Sequence, residues 1–176
     1  MIPGCRCRLP DMDPSVPAVI ERPSQPYVFI PRTVTMASLP AAADEIPGLF
    51  GWLAAHRAAP AGAPFLKYNV IDMERELQVE AGVPVAAPVA GDGRVQAGVL
   101  PGGRYAAVTH VGPYDQLVPA VAALLDWAAG AGLTWDKQDT AGGQRWGGRL
   151  EVYETNPAEQ PDPAKWETRL VFRLAG

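Results

Sequence analysis

The chain has 176 residues, 48% of them hydrophobic and 19% charged, with a formal net charge of −4. That is enough apolar material for one domain of ordinary size with a real core. The acidic balance without a Lys/Arg cluster speaks against nucleic acid as a partner, and no apolar run approaches the ~20 residues of a membrane span.

In chain order, Met1–Arg8 lacks the apolar centre of a signal peptide, so a cytoplasmic location is the default expectation. Residues 1–17 are Pro-rich and are expected to form a disordered leader. Cys5 and Cys7 have no His or further Cys nearby and read as reduced thiols rather than a metal site. Residues 18–176 form the expected single domain, and no cofactor is expected. Val19-Ile20-Glu21 and Tyr27–Thr35 are predicted strands. The turn chemistry of Arg22-Pro23-Ser24-Gln25-Pro26 between them predicts a hairpin. Ile46, Leu49, Phe50 and Leu53 recur at helical spacing and predict a helix from about Ala41 to Arg57. Strands follow at Phe65–Val70 and Glu76–Val83, with Pro84–Gly93 as a linker. The pattern then repeats: Val95–Leu100, Arg104–Val111, a helix from about Tyr114 or Asp115 to Ala131, Leu150–Glu154 and Thr168–Leu174.

This recurrence is the most informative feature of the chain. Pro23–Ile30 matches Pro101–Val108, Trp52 matches Trp127 on the helices, and Tyr68 matches Tyr153. Glu76-Leu77-Gln78-Val79 is aligned with Glu167-Thr168-Arg169-Leu170. The expected fold is α+β: two β-β-α-β-β units, about 18–85 and 95–174, with pseudo-two-fold symmetry. An antiparallel sheet carries two main helices on one face, and a ligand groove lies between the repeats. Val28, Ile30, Leu77, Val79 and Ala81 suit a helix-covered face, whereas Tyr27, Phe29 and Glu80 alternate to the other.

The stretch Arg104–Tyr114, ending His110-Val111-Gly112-Pro113-Tyr114, with Val152-Tyr153-Glu154-Thr155-Asn156-Pro157 later, resembles the GyrI-like (gyrase-inhibitor-like) effector-binding family. Gly103 and Val79–Val85 add to the likeness, which covers most of Val19–Leu174. The resemblance implies a standalone small-molecule-binding domain with an aromatic, acidic pocket for hydrophobic, cationic or planar ligands. Neither a nucleic-acid nor a membrane partner is expected, on the charge and hydropathy given above. Some relatives belong to transcriptional regulators, and some are hydrolases of cyclopropane-bearing electrophilic toxins. A hydrolase is therefore the alternative function, and an interaction protein a weaker third.

The candidate site residues follow from aromatic quadrupoles that attract cations and from carboxylates that add charge. They are Tyr68, Tyr105, Trp146 and Tyr153 as walls, with Trp135 beside them, and Glu80, Glu151 or Glu167 as the acid. Glu80 and Glu151 are favoured over Glu167, which reads equally as a strand-start charge. The family often has an acid in the last strand, where this chain reads Thr168-Arg169-Leu170. Trp52 and Trp127 read as core, and His110 as a turn or cap residue.

Overall fold

The computed structural model describes residues 13–176, so Cys5, Cys7 and most of the expected leader lie outside the described residues. Among the described residues ten strands form one antiparallel sheet: β1 (Ala18–Arg22), β2 (Gln25–Val34), β3 (Phe65–Ile71), β4 (Leu77–Pro84), β5 (Gln96–Leu100), β6 (Gly103–Val111), β7 (Lys137–Thr140), β8 (Gly143–Trp146), β9 (Arg149–Tyr153) and β10 (Glu167–Arg173). Three α-helices, α1 (Pro40–Ala43), α2 (Ile46–Ala55) and α3 (Leu117–Gly130), lie on one face. Among the described residues no helix is long and apolar enough to cross a membrane.

The sheet order β1-β6-β10-β9-β3-β4-β2-β5 is symmetric about the β9–β3 junction. The halves meet where Phe65, Leu66 and Lys67 pair with Val152, Glu151 and Leu150. β1 and β2 do not form the expected hairpin. β1 pairs with β6 of the second half, and β5 pairs with β2 of the first. Each repeat therefore donates its first strand to the other. The Pro23-Ser24 link allows a crossover as well as a hairpin, and β1 takes its partner at the free edge of β6.

Registers also correct one part of the repeat alignment. Tyr68 pairs with Val79, and Tyr153 pairs with Thr168. Ile30 pairs with Ala81, and Val108 with Leu170. Val79 is thus the counterpart of Thr168, and aligning Glu76 with Glu167 is two residues out of step. The shared initial Glu misled because a strand-start charge carries no register information.

The expected first helix is broken into α1 and α2. Pro47 has no N–H to donate and its ring opposes the carbonyl of Ala43, where α1 stops. Both repeats end their main helix in the same way. Ala58 N–H bonds Leu53 O in one, and Leu133 N–H bonds Ala128 O in the other. The residues inside these turns, Arg57 and Gly132, have φ 54° and 70°. Leu49 and Leu53 of α2, and Leu124 and Ala128 of α3, are buried against the sheet. They stand at the same distances from Trp52 and Trp127, which pack at the edge of the same core. The opposite face has its own smaller core of Tyr27, Phe65, Leu100, Tyr105, Ala107, Leu150 and Val171.

The insertion at 134–148 supplies two strands that the repeat does not predict. β7 and β8 form a hairpin, and Arg145 and Gln144 of β8 extend the sheet from Val70 and Ile71 of β3.

Candidate functional site

Between α1/α2 and α3, above the β3–β9 junction, the helix-covered face opens into a cleft of about 1220 Å³. Its floor includes Leu66, Tyr68, Arg149, Glu151 and Tyr153, and its sides include Ile46 and Phe50 on one hand, Tyr114 and Val121 on the other. Strand alternation puts Leu66 and Tyr68 of β3 on one face with Glu151 and Tyr153 of β9. A bulge at Asn69 then shifts the alternation, so that Ile71 joins Tyr68 in the lining.

Matching positions of the two repeats line the cleft, but their chemistry differs. Leu66 pairs directly with Glu151 across the junction, and these two are counterparts when Tyr68 is matched with Tyr153. One acid therefore occupies the axis, faced by a leucine. Ile46 and Val121 stand at matching places six residues before Trp52 and Trp127. By the same spacing Leu39 is the counterpart of Tyr114. The first repeat supplies a greasy wall, the second a polar and aromatic one.

Glu151 is half-buried, and the Tyr153 hydroxyl donates to its Oε2 at 3.1 Å. Burial pushes its carboxyl above the ordinary carboxylate range, although Tyr68, Tyr153 and the Arg149 guanidinium all favour the charged form. Burial also raises the Tyr68 and Tyr153 hydroxyls, with the Glu151 charge adding to it, so both remain protonated donors. Arg149 packs its guanidinium 4.7 Å from the Trp146 ring centre and 4.6 Å from that of Phe172. Its charge rests on ring faces at the end of the floor.

An aromatic ladder continues upward from Tyr153. Tyr114 meets Tyr153 edge-on at 5.6 Å and Trp166 at 4.7 Å. Gly112 makes this placement possible. Its φ of 145° turns β6 into the Pro113–Tyr114 step, and a Cβ there would sit 2.4 Å from Gln116 Oε1. Large apolar side chains stay exposed at the mouth: Val118 and Met73 are 64% and 60% accessible.

Of the residues nominated from sequence, Tyr68, Glu151 and Tyr153 come together in the cleft. The others do not line it. Glu80 lies on the opposite face, accepting from the Tyr27 hydroxyl at 2.5 Å and from the Asn69 amide, with Lys67 Nζ at 3.7 Å. Its alternation partner set, Tyr27 and Phe29, packs into the second core instead of a groove. Tyr105 belongs to that core too, its hydroxyl bonded to Pro101 O at 2.5 Å. Trp146 is buried beneath Arg149 and packs with Trp135 at 5.7 Å. Glu167 is exposed at the start of β10 opposite Val111. His110 pairs across to Thr168, and neither His110 Nε2 nor Thr168 Oγ1 has a partner among the described residues.

Sequence reasoning missed Arg149 and Tyr114 as lining residues. Tyr114 stood in the quoted Gly112-Pro113-Tyr114 step, and a Tyr directly after a forced turn was the available signal. Arg149 had none, because its aromatic bed is assembled from three separate strands.

A family model described as the GyrI-like small molecule binding domain matches residues 16–175. No curated protein sequence matches the chain. Among solved structures it is similar to EcmrR in a DNA complex, with TM-score 0.72 and 21% identity, covering 90% of this chain and 57% of that one. The EcmrR C-terminal domain alone gives TM-score 0.67 and 20% identity over 91% of this chain and 97% of that domain. This chain thus spans little more than half of EcmrR. A hydrolase from Listeria innocua gives TM-score 0.57 and 15% identity, covering 94% of each chain. SAV2435 bound to tetraphenylphosphonium gives TM-score 0.56 and 11% identity, over 92% of this chain and 94% of that one. Identities this low speak for the fold alone. The family match over nearly the whole described chain goes further, and with it the chain belongs to the GyrI-like small-molecule-binding domain family.

Proposed function

We propose that this protein binds bulky hydrophobic cations bearing aromatic groups, with Glu151 as their counter-charge. The observation that carries the reading is one half-buried carboxylate at the axis of a large, mainly apolar cleft. Burial keeps that charge costly despite the Tyr68, Tyr153 and Arg149 groups around it, and a cationic ligand relieves the cost while the walls desolvate its rings. The faces of Tyr68, Tyr114 and Tyr153 add attraction of about 0.5–2 kcal/mol per cation contact. The tetraphenylphosphonium of the SAV2435 complex has this chemistry and supports the ligand class.

Methyltriphenylphosphonium and the neutral triphenylphosphine oxide share an outline and differ in charge. In calorimetry the cation should bind the tighter of the two. Glu151→Gln should weaken it by about 1.5–3 kcal/mol, roughly ten- to a hundredfold, and barely change the neutral compound. Equal losses for both compounds would reject the counter-charge role.

A second reading is hydrolysis of an electrophilic ligand, and the raised carboxyl of Glu151 favours it. A general base works best when its pKa moves toward the operating pH, and Tyr153 is placed to orient it. In that case Glu151→Gln would cut turnover of a cyclopropane-bearing substrate about a hundredfold or more while leaving binding of neutral substrate intact.

A further inference from the structure

A second, smaller cavity of about 190 Å³ lies on the other face of the sheet, sharing Gly62, Ala63 and Glu154 with the lining of the main cleft. Arg22, Arg169, Gln25 and the 61–63 loop line it, over a base of Phe65 and Val152. The three segments come together only through the exchange of first strands. Arg22 ends β1, which the first repeat lends to β6, while Arg169 stands in β10 opposite Val152.

The two guanidiniums are both half-buried, and burial first, then the neighbouring Arg169 charge, lowers the Arg22 guanidinium from its ordinary value. Among the described residues neither is in an ion pair. The contrast with the other repeat is informative. The counterpart of Arg169 is Glu80, which is held by Tyr27, Asn69 and Lys67. Arg169 has no such set. Among the described residues Arg22 has the face of Tyr105, 5.9 Å from its guanidinium carbon, and the more distant charge of Glu154. The single carboxylate in the lining, Glu154, is exposed and shared with the main cleft. Two converging cations in a confined polar space are held at a cost that an anion between them removes. Paired guanidiniums present forks of donors that match tetrahedral oxyanions. The volume corresponds to roughly six waters at about 30 Å³ each, which fits a phosphate group with little more than a small substituent.

We infer that Arg22 and Arg169 form a binding site for a small phosphate-type oxyanion on the sheet face opposite the cleft floor. The test titrates inorganic phosphate, and in parallel methyl phosphate, into the full chain at ionic strength held constant with sodium chloride. Both calorimetry and amide spectra of the wild type are read. The expected result is saturable binding that shifts the amides of Arg22, Arg169 and residues 61–63, with Tyr68 and the α3 amides unmoved. Arg22→Gln and Arg169→Gln should each weaken binding by about tenfold or more, and Glu154→Gln should strengthen it. Tighter binding of phosphate than methyl phosphate would identify the free ion as the occupant, and the reverse a phosphate monoester. A response no larger than that to added chloride would overturn the site, as would shifts centred on the cleft. Binding that survives both arginine variants would do the same. Because the wild-type spectra decide the location, an arginine variant that failed to fold would leave the result standing.

Discussion

Glu80 and Glu151 test how a fold assigns the same side chain to different work. Glu80 is 7% exposed and fully engaged with Tyr27, Asn69 and Lys67. Glu80→Gln keeps the shape but leaves Lys67 without its counter-charge. Chemical denaturation should show a loss of about 1–3 kcal/mol, with phosphonium affinity in the cleft unchanged. Glu151 predicts the opposite pattern through pH. Its carboxyl is raised in the folded state, so between the unfolded and folded values the native protein holds more protons than the unfolded one. The charged form therefore destabilises the fold fully above the raised value; the penalty fades as pH falls from there to the ordinary carboxylate value and is absent below it. Cation binding runs the other way, since it requires the charged form. Affinity for methyltriphenylphosphonium should drop on acidification, beginning above pH ~4.3, the ordinary Glu value. Calorimetry across this range in wild type and Glu151→Gln checks it. A pH profile that the variant shares would mean another group titrates.

At the scale of elements, the two helix ends show what duplication preserves and what it lets drift. Gly132 and Arg57 occupy the same left-handed position after α3 and α2, and only glycine does so without a Cβ penalty. Arg57→Gly should therefore stabilise the protein by about 0.5–1 kcal/mol in a denaturant titration, despite the entropy glycine adds to the unfolded chain. Gly132→Arg should destabilise by a similar amount. The break between α1 and α2 was readable in principle, because Pro47 sits inside the apolar periodicity that predicted one helix. Periodicity reports which face is buried and is blind to a missing N–H. The bulge at Asn69 and the hairpin at 137–146 left no comparable mark, since both depend on which strand lies alongside.

At the scale of the whole molecule, exchange of the first strands makes the halves interdependent. Removing residues 1–22 deletes β1 from the first repeat yet exposes the edge of β6 in the second. Hydrogen exchange should then lose protection at Tyr105 and Ala107, while β2, still covered by β5, keeps its own. Loss centred on β2 would contradict the exchange. The same arrangement explains why the cleft lies at the β3–β9 junction. That junction is the symmetry axis, where two helices spread apart over paired strands and leave the floor uncovered.

The residues alone determined the duplication, the family, the α+β class and the correspondence of Tyr68 with Tyr153 between the repeats. Each rests on local spacing or on motif order along the chain. Which acid serves the cleft was decided by tertiary structure. Glu80 and Glu151 both interrupt apolar strands, and alternation places each on a face without saying what packs over that face. The helices cover the side of Glu151 and part above it. The exchanged edges and the second core close over the side of Glu80. Strand exchange was equally out of reach, because a proline-flanked link is compatible with a hairpin or a crossover, and only the partners available at each sheet edge choose between them.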